Sequence, residues 1–244
     1  MGFAAVDIGN TSIKYCIWGS ESVSTSNITS IRALGRLFEK DGVDEVAYCS
    51  TRRLSAEEEK LVAADGWWEL TPERSLPITL RYDTPSTLGR DRLAAAVGAA
   101  ALYPGRCLLI ADVGTALTLD VVSAGSVFLG GNISPGLEMR AKALHDCTSL
   151  LPKVNPLPCK GLLGHDTMSA IQHGVIWGVA SEIAGTFRLA RKQTGCKKIL
   201  LSGGGAELIK NNLEELLEGG DCVESFPAIV EEGLKIAYEY NHEE

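Results

Sequence analysis

The sequence predicts an α/β fold made of two related halves, each built on a mixed β-sheet flanked by helices. Three observations carry this. A turn of acid, glycine and threonine between two apolar runs occurs twice, about one small domain apart: Asp7-Ile8-Gly9-Asn10-Thr11-Ser12-Ile13-Lys14, and Asp112-Val113-Gly114-Thr115-Ala116-Leu117-Thr118-Leu119-Asp120. After the first of these, short apolar strands alternate with helical spacing. With 244 residues, 45% of them hydrophobic, the chain is long enough for two domains of roughly 100–130 residues each. The expected division is a first domain over 1–105 and a second over 106–244, with a nucleotide clamped in a cleft between them.

In the first half, strands are expected at 3–6 and 14–18, on either side of the first turn, and at 23–28, a polar and β-branched edge candidate. Ile31, Leu34, Leu37 and Phe38 share one face of a helix over 31–39. Residues 45–49 read as a buried strand with Ser50-Thr51 at its end, facing the cleft. Ser55-Ala56-Glu57-Glu58 is a capping box that opens a helix to about Ala64. Trp67-Trp68 start another extended piece, either a hydrophobic plug against the sheet or a ligand-stacking surface, and the plug is the simpler expectation. The stretch 71–92 is rich in Pro and Thr and ends in Thr87-Leu88-Gly89-Arg90-Asp91-Arg92, ahead of an Ala-rich helix over 93–103. Asp91 therefore stands at a helix N-terminus. It is either a cap or first-turn charge, or a carboxylate at the cleft floor flanked by two arginines.

The second half begins near Cys107 with a strand over 108–111, passes through the second turn into Val121-Val122, and returns at 127–129. Gly130-Gly131-Asn132-Ile133-Ser134-Pro135-Gly136 precedes a helix over 137–147, and so many small residues imply close backbone approach to a ligand or a neighbouring chain. Prolines 152, 156 and 158 make 149–165 a loop. Gly164-His165-Asp166-Thr167 caps a long helix over 168–192 that is apolar nearly all round at 175–184, and so buried on more than one side. A strand over 199–202 enters a helix through Gly203-Gly204-Gly205-Ala206, which suits either a nucleoside against backbone or tight packing of strand on helix. A final amphipathic helix covers 229–240.

The net charge of −8, with no basic run longer than Arg52-Arg53 or Lys197-Lys198, argues against nucleic acid as a partner. Seven scattered cysteines without a Cys-x-x-Cys pair suggest a reducing cytosol and no zinc site. The four histidines form no ligand-spaced set. The longest apolar stretch, 93–102, is too short to span a bilayer, and no signal-peptide pattern opens the chain, so a cytoplasmic protein with no membrane partner is expected. There is no P-loop and no Gly-x-Gly-x-x-Gly after the first strand. A nucleotide would be held instead by the two turns: glycine admits backbone N–H groups to an anion, threonine adds a donor, and each acid can hold a cation.

Taken together, these segments resemble the type III pantothenate kinases, bacterial enzymes of coenzyme A synthesis that belong to the actin, Hsp70 and sugar-kinase superfamily. The likeness covers nearly the whole chain. Asp7-Ile8-Gly9-Asn10-Thr11 with Lys14 looks like that family's first phosphate motif, and Asp112-Val113-Gly114-Thr115 with the strand to Asp120 like its second. Tyr82-Asp83-Thr84-Pro85-Ser86-Thr87-Leu88-Gly89-Arg90-Asp91-Arg92 looks like the substrate motif and is the most specific of the set. The residues 130–136, Asp166-Thr167 and Ser202-Gly203-Gly204-Gly205-Ala206 complete it.

The resemblance implies two ribonuclease-H-like (actin-like ATPase) domains and ATP-dependent phosphorylation of the primary hydroxyl of pantothenate. It also implies Mg²⁺, a monovalent cation (K⁺ or NH₄⁺), and a homodimer whose second subunit completes the substrate site. Carried onto this chain, it makes Asp91 the general base, and Tyr82, Gly89, Arg90, Asp91, Arg92 and Thr167 the pantothenate-binding residues. Asp7, Ile8, Gly9, Asn10, Thr11, Ser12, Ile13 and Lys14 would bind ATP, with Thr115 opposite; Asp7 would orient Mg²⁺ through water and Asp112 would coordinate the monovalent cation. A non-enzymatic relative would be expected to lose the acid or one of the turns, both kept here. An actin-like switch or a small sugar or acetate kinase would lack the 82–92 segment.

Overall fold

The computed structural model describes residues 2–19, the backbone of 23–28, and residues 30–242. They form two compact units. One comprises the described residues up to Pro104 together with 126–128 and 228–242; the other comprises 105–125 and 129–227.

In the first unit, β1 (Gly2–Ile8), β2 (Ile13–Trp18) and β3 (Val23–Ile28) form an antiparallel meander. β4 (Val43–Ser50) and β5 (Trp68–Glu69) add in parallel on the other side of β1, giving the order β3-β2-β1-β4-β5. Strand alternation sends Ala4, Val6 and Ile8 to one face, where they meet α1 (Ile31–Asp41) and α2 (Ala56–Ala64). Helix α1 is capped by Ser30, whose side chain accepts the Ala33 N–H, and ends at Gly42, where φ is 67°. Ile31, Leu34 and Phe38 are buried as their spacing predicts. Ser55 and Glu58 close the expected capping box. Arg52 grips the same Glu58 through both guanidinium nitrogens (2.9 and 2.6 Å), and this pairing lowers the Glu58 carboxyl to about 2.

Trp67 is the expected plug, 9% exposed, with its ring 5.6 Å from that of Phe38 and 6.1 Å from that of Tyr48. Trp68 packs edge-on against Tyr238 and carries the Arg74 guanidinium 5.1 Å above its ring. Within the Pro- and Thr-rich stretch lies a strand of two residues, β6 (Thr79–Leu80), which pairs in parallel with Val127 and Phe128. This pairing is what places 126–128 in the first unit.

The Ala-rich segment forms α3 (Arg90–Leu102), and its small side chains let the C-terminal helix α7 (Ile229–His242) approach closely. Two glycines make the seam. A Cβ on Gly233 would lie 1.8 Å from the Ala94 carbonyl oxygen, and one on Gly98 would lie 2.7 Å from that of Ile229. The last helix, which chain order assigns to the second half, therefore packs in the first unit on α3 and β1.

The second unit repeats the topology. β7 (Leu108–Val113), β8 (Ala116–Val122) and β9 (Val127–Pro135) are neighbours in chain order, and β10 (Lys198–Ser202) and β11 (Cys222–Ser225) extend the sheet in parallel from β7. Apart from β6 beside β9, the order β9-β8-β7-β10-β11 is that of the first sheet with each strand replaced by its counterpart, so the repeated turn marks a repeated fold. The helices are α4 (Leu137–Asp146), α5 (Thr167–Thr194) and α6 (Ala206–Glu215). Asp166 and Ser169 cap α5 reciprocally, and Val175, Ile176, Val179, Ala180, Ile183, Ala184 and Phe187 bury it in the core of this unit. Among the described residues, no helix is long and apolar enough to cross a membrane.

Candidate active site

Asp7 stands near the end of β1, level with Lys14 on β2 and Cys49 on β4. The Cys49 thiol donates to Asp7 Oδ1 at 3.6 Å. Burial, then the charges of Asp7, Asp91 and Glu231, push that thiol well up, so Cys49 serves as a neutral donor and not as a nucleophile. The four residues Gly9-Asn10-Thr11-Ser12 form the turn, closed by the Gly9 N–H on the Ser12 carbonyl (3.1 Å). Asn10 and Thr11 are exposed at its tip. Ile8 and Ile13, on either side of it, are buried in the core, which leaves only their backbone for a ligand.

Asp91 lies in the first turn of α3, after the N-cap Gly89. Its Oδ1 accepts the Arg92 N–H at 2.8 Å, and a Cβ on Gly89 would sit 2.6 Å from the same oxygen, so the glycine is what lets the carboxylate fold back. Burial raises the Asp91 carboxyl above the ordinary range, against the lowering pull of the Arg92 backbone and charge and of Lys14. Asp91 is thus a first-turn acceptor and also a stronger base than a solvated cap would be. Asp7, Lys14, Cys49 and Asp91 act on one another electrostatically inside the first unit.

The two arginines beside Asp91 have different surroundings. Arg92 is 5% exposed, with its guanidinium 5.9 Å from the ring centres of both Tyr82 and Phe128. Arg90 pairs with Glu69, which also hydrogen-bonds Tyr48; burial and then Glu69 push the Tyr48 hydroxyl up to about 12. The Arg90 side chain is a brace between α3 and β5. Phe128, Glu69 and Tyr48 carry no signal in the sequence that would mark them, because only long-range pairing brings them here.

In the second unit, Asp112 stands near the end of β7, level with Thr118 on β8 and Ser202 on β10. Its turn, Gly114-Thr115-Ala116, is one residue shorter than the first and is closed by the Gly114 N–H on the Ala116 carbonyl (3.0 Å). Thr115 is exposed. Gly203, at a φ of 90°, comes so close that a Cβ would lie 2.3 Å from Asp112 Oδ1, and the Gly205 N–H donates to the Val113 carbonyl (2.9 Å). The glycines ahead of α4 behave alike: a Cβ on Gly136 would lie 2.1 Å from the Gly114 carbonyl oxygen, and one on Gly131 would lie 2.1 Å from Asp120 Oδ1. The close approach expected at 130–136 is therefore made to this unit's own second hairpin. Thr167 is the first residue of α5, exposed near the exposed Leu162, Leu163 and Met168.

Among the described residues, no group of three or more His, Cys, Asp or Glu side chains could hold a metal ion. Asp7 and Asp112 instead each offer one carboxylate beside a threonine-bearing turn. That oxygen-only, sparse donor set suits a hard cation that keeps water and phosphate as its other ligands.

Residues 3–189 match the family model of the type III pantothenate kinases. The chain belongs to that family. The type III pantothenate kinase of Porphyromonas gingivalis is 38% identical over 244 residues, covering 97% of this chain and 97% of its own. That of Chlorobium luteolum is 30% identical over 259 residues, covering 96% and 93%. Among solved structures, a putative 2-dehydro-3-deoxygalactonokinase from Sinorhizobium meliloti has a TM-score of 0.59 at 16% identity, covering 99% of this chain and 100% of that one. Component A of the (R)-2-hydroxyglutaryl-CoA dehydratase from Acidaminococcus fermentans has a TM-score of 0.56 at 15% identity, covering 99% and 97%. At these identities the likeness is one of fold, the duplicated α/β fold of sugar kinases and actin-like ATPases. Residues 7–14, 82–92 and 112–120 all fall within the residues matched by the family model.

Proposed function

We propose that this kinase transfers the terminal phosphoryl group of ATP to the primary hydroxyl of pantothenate, giving 4′-phosphopantothenate, the first step of coenzyme A synthesis, with Asp91 taking the hydroxyl proton. Family membership supports the reaction. The observation that supports the role of Asp91 is its burial-raised carboxyl in the same unit as the Asp7–Lys14 turn. Phosphoryl transfer asks the protein for positioning, charge neutralisation and a carboxylate to orient and deprotonate the acceptor, and these residues supply all three.

Tyr82 walls the pantothenate pocket and Arg92 meets the anionic end of the substrate. Gly89 and Arg90 contribute backbone at the α3 N-terminus, where an anion is favoured. The backbone of residues 8–13, with the side chains of Asn10, Thr11, Ser12 and Lys14 and with Thr115, holds the ATP phosphates. Asp7 would hold Mg²⁺ through water and Asp112 would hold K⁺ or NH₄⁺. When bound, the cations neutralise charge on the phosphates. Thr167 hydrogen-bonds the pantothenate of the other copy in a homodimer, and the exposed Leu162, Leu163 and Met168 are apolar surface for such a partner to cover. A cytoplasmic setting accords with seven cysteines that are all free.

Incubation with ATP and a panel of hydroxylated acceptors tests the reading. ADP release is expected with pantothenate and not without it. Equal release with a hexose, or release that needs no acceptor, would replace it by a sugar kinase or a nucleotide switch. In the same assay, exchanging K⁺ for Na⁺ at constant ionic strength is expected to lower the rate by roughly an order of magnitude or more. An unchanged rate removes the role given to Asp112.

A further inference from the structure

We infer that Phe128 is a positioning residue of the pantothenate site, fixing the Arg92 guanidinium and the Tyr82 ring from behind. The inference rests on the pantothenate-kinase reading of Tyr82 and Arg92.

Phe128 is fully buried, which alone would make it one more core side chain. Its surroundings differ from those of the core. The ring stands edge-to-face to Tyr82 at 5.9 Å and 63°, and the Arg92 guanidinium lies 5.9 Å from both ring centres, so the three groups form a nearly equilateral triangle. The main chain is tied into the same place. Leu80 is in register with Phe128, the Arg81 N–H donates to the Phe128 carbonyl at 2.9 Å, and the Thr79 N–H donates to the Ser126 carbonyl at 3.0 Å. The strand that carries Phe128 thus holds the backbone that leads into Tyr82, while its ring touches the side chains of Tyr82 and Arg92.

Two aromatic rings packed on a planar guanidinium restrict its orientation without neutralising its charge. A Leu in place of Phe128 would keep the apolar volume approximately and lose the ring. Arg92 and Tyr82 would then sample more rotamers, and the cost would fall on pantothenate binding.

The test is steady-state kinetics on the full-length kinase carrying Phe128→Leu, Arg92→Ala, and both. Phe128→Leu is expected to raise KM for pantothenate about tenfold, with much smaller changes in kcat and in KM for ATP, the pattern of lost uniform binding. Because Phe128 acts through Arg92, adding Phe128→Leu to Arg92→Ala is expected to raise KM little further. An unchanged pantothenate KM in folded Phe128→Leu, or an undiminished effect in the Arg92→Ala background, overturns the inference. If Arg92→Ala itself leaves the pantothenate KM unchanged, the reading of the pocket beneath it fails instead. Should Phe128→Leu not fold, Phe128→Met is measured for the same three quantities.

Discussion

Asp91→Asn is expected to lower kcat by about a hundred- to ten-thousandfold, the usual range for a lost general base, and to raise the melting temperature at neutral pH. Asparagine keeps an oxygen for the Arg92 N–H, so the helix start survives while proton acceptance does not. The gain in stability follows from the direction of the pKa shift. The Asp91 carboxyl is raised in the folded protein, chiefly by burial, so the native state holds this proton more tightly than the unfolded chain does. Stability is then highest below the unfolded pKa of about 3.9 and is lost as pH rises through the folded value; asparagine has no charge to desolvate. The melting difference between the two proteins should therefore shrink toward acid pH. Turnover of the parent enzyme should fall on the acid side at a higher pH than an ordinary aspartate would give, since only the ionised carboxylate accepts a proton. Initial-rate assays and thermal melts at two pH values decide this. A near-parental kcat removes Asp91 from the mechanism, and a loss of kcat without a gain in stability would mean that burial is not what raises the carboxyl.

Gly233→Ala is expected to give the largest loss of stability. The added methyl would lie 1.8 Å from the Ala94 carbonyl oxygen and 2.5 Å from its carbon, a collision with backbone that no rotamer relieves, so α3 and α7 must separate. Overpacking of this kind costs about 1–3 kcal/mol or more. At roughly 2–4 °C per kcal/mol for a chain of this size, the melting temperature should fall by about 2–12 °C. Gly174→Ala on α5 is the contrast: a Cβ there meets nothing within 4 Å, and exchanging a helical glycine for alanine is worth up to about 1 kcal/mol of added stability. Thermal denaturation of both variants checks the pair, and equal melting temperatures would mean that the seam yields without cost. Because α3 begins at Arg90, parting it from α7 also disturbs the platform that presents Asp91.

What could be read from the amino-acid order was what acts over a few residues. The Ser55–Glu58 capping box, the apolar face of α1 and the Asp166 cap of α5 each depend on side chains within one or two helical turns, and each formed where the spacing put it. The twice-written acid turn announced a twice-built sheet, because the strand, turn and returning strand are contiguous in the chain. The 82–92 motif singled out Asp91 as a candidate, though not why its carboxyl is raised.

Tertiary structure decided the rest. Glycines at 131, 136, 203 and 205 look alike in sequence whether they make room for a ligand or for another stretch of backbone; only the fold shows Gly131 and Gly136 packed on the second hairpin. A polar four-residue strand such as β11, and a two-residue strand such as β6, are stabilised by partners far away in the chain and not by their own pattern. The C-terminal helix joins the first unit because Gly98 and Gly233, more than a hundred positions apart, let two backbones touch. Phe128 meets Tyr82 and Arg92 for the same kind of reason. Local chemistry fixes the capped helices and the repeated turn, whereas contacts between distant residues form the shortest strands and select which elements share a site.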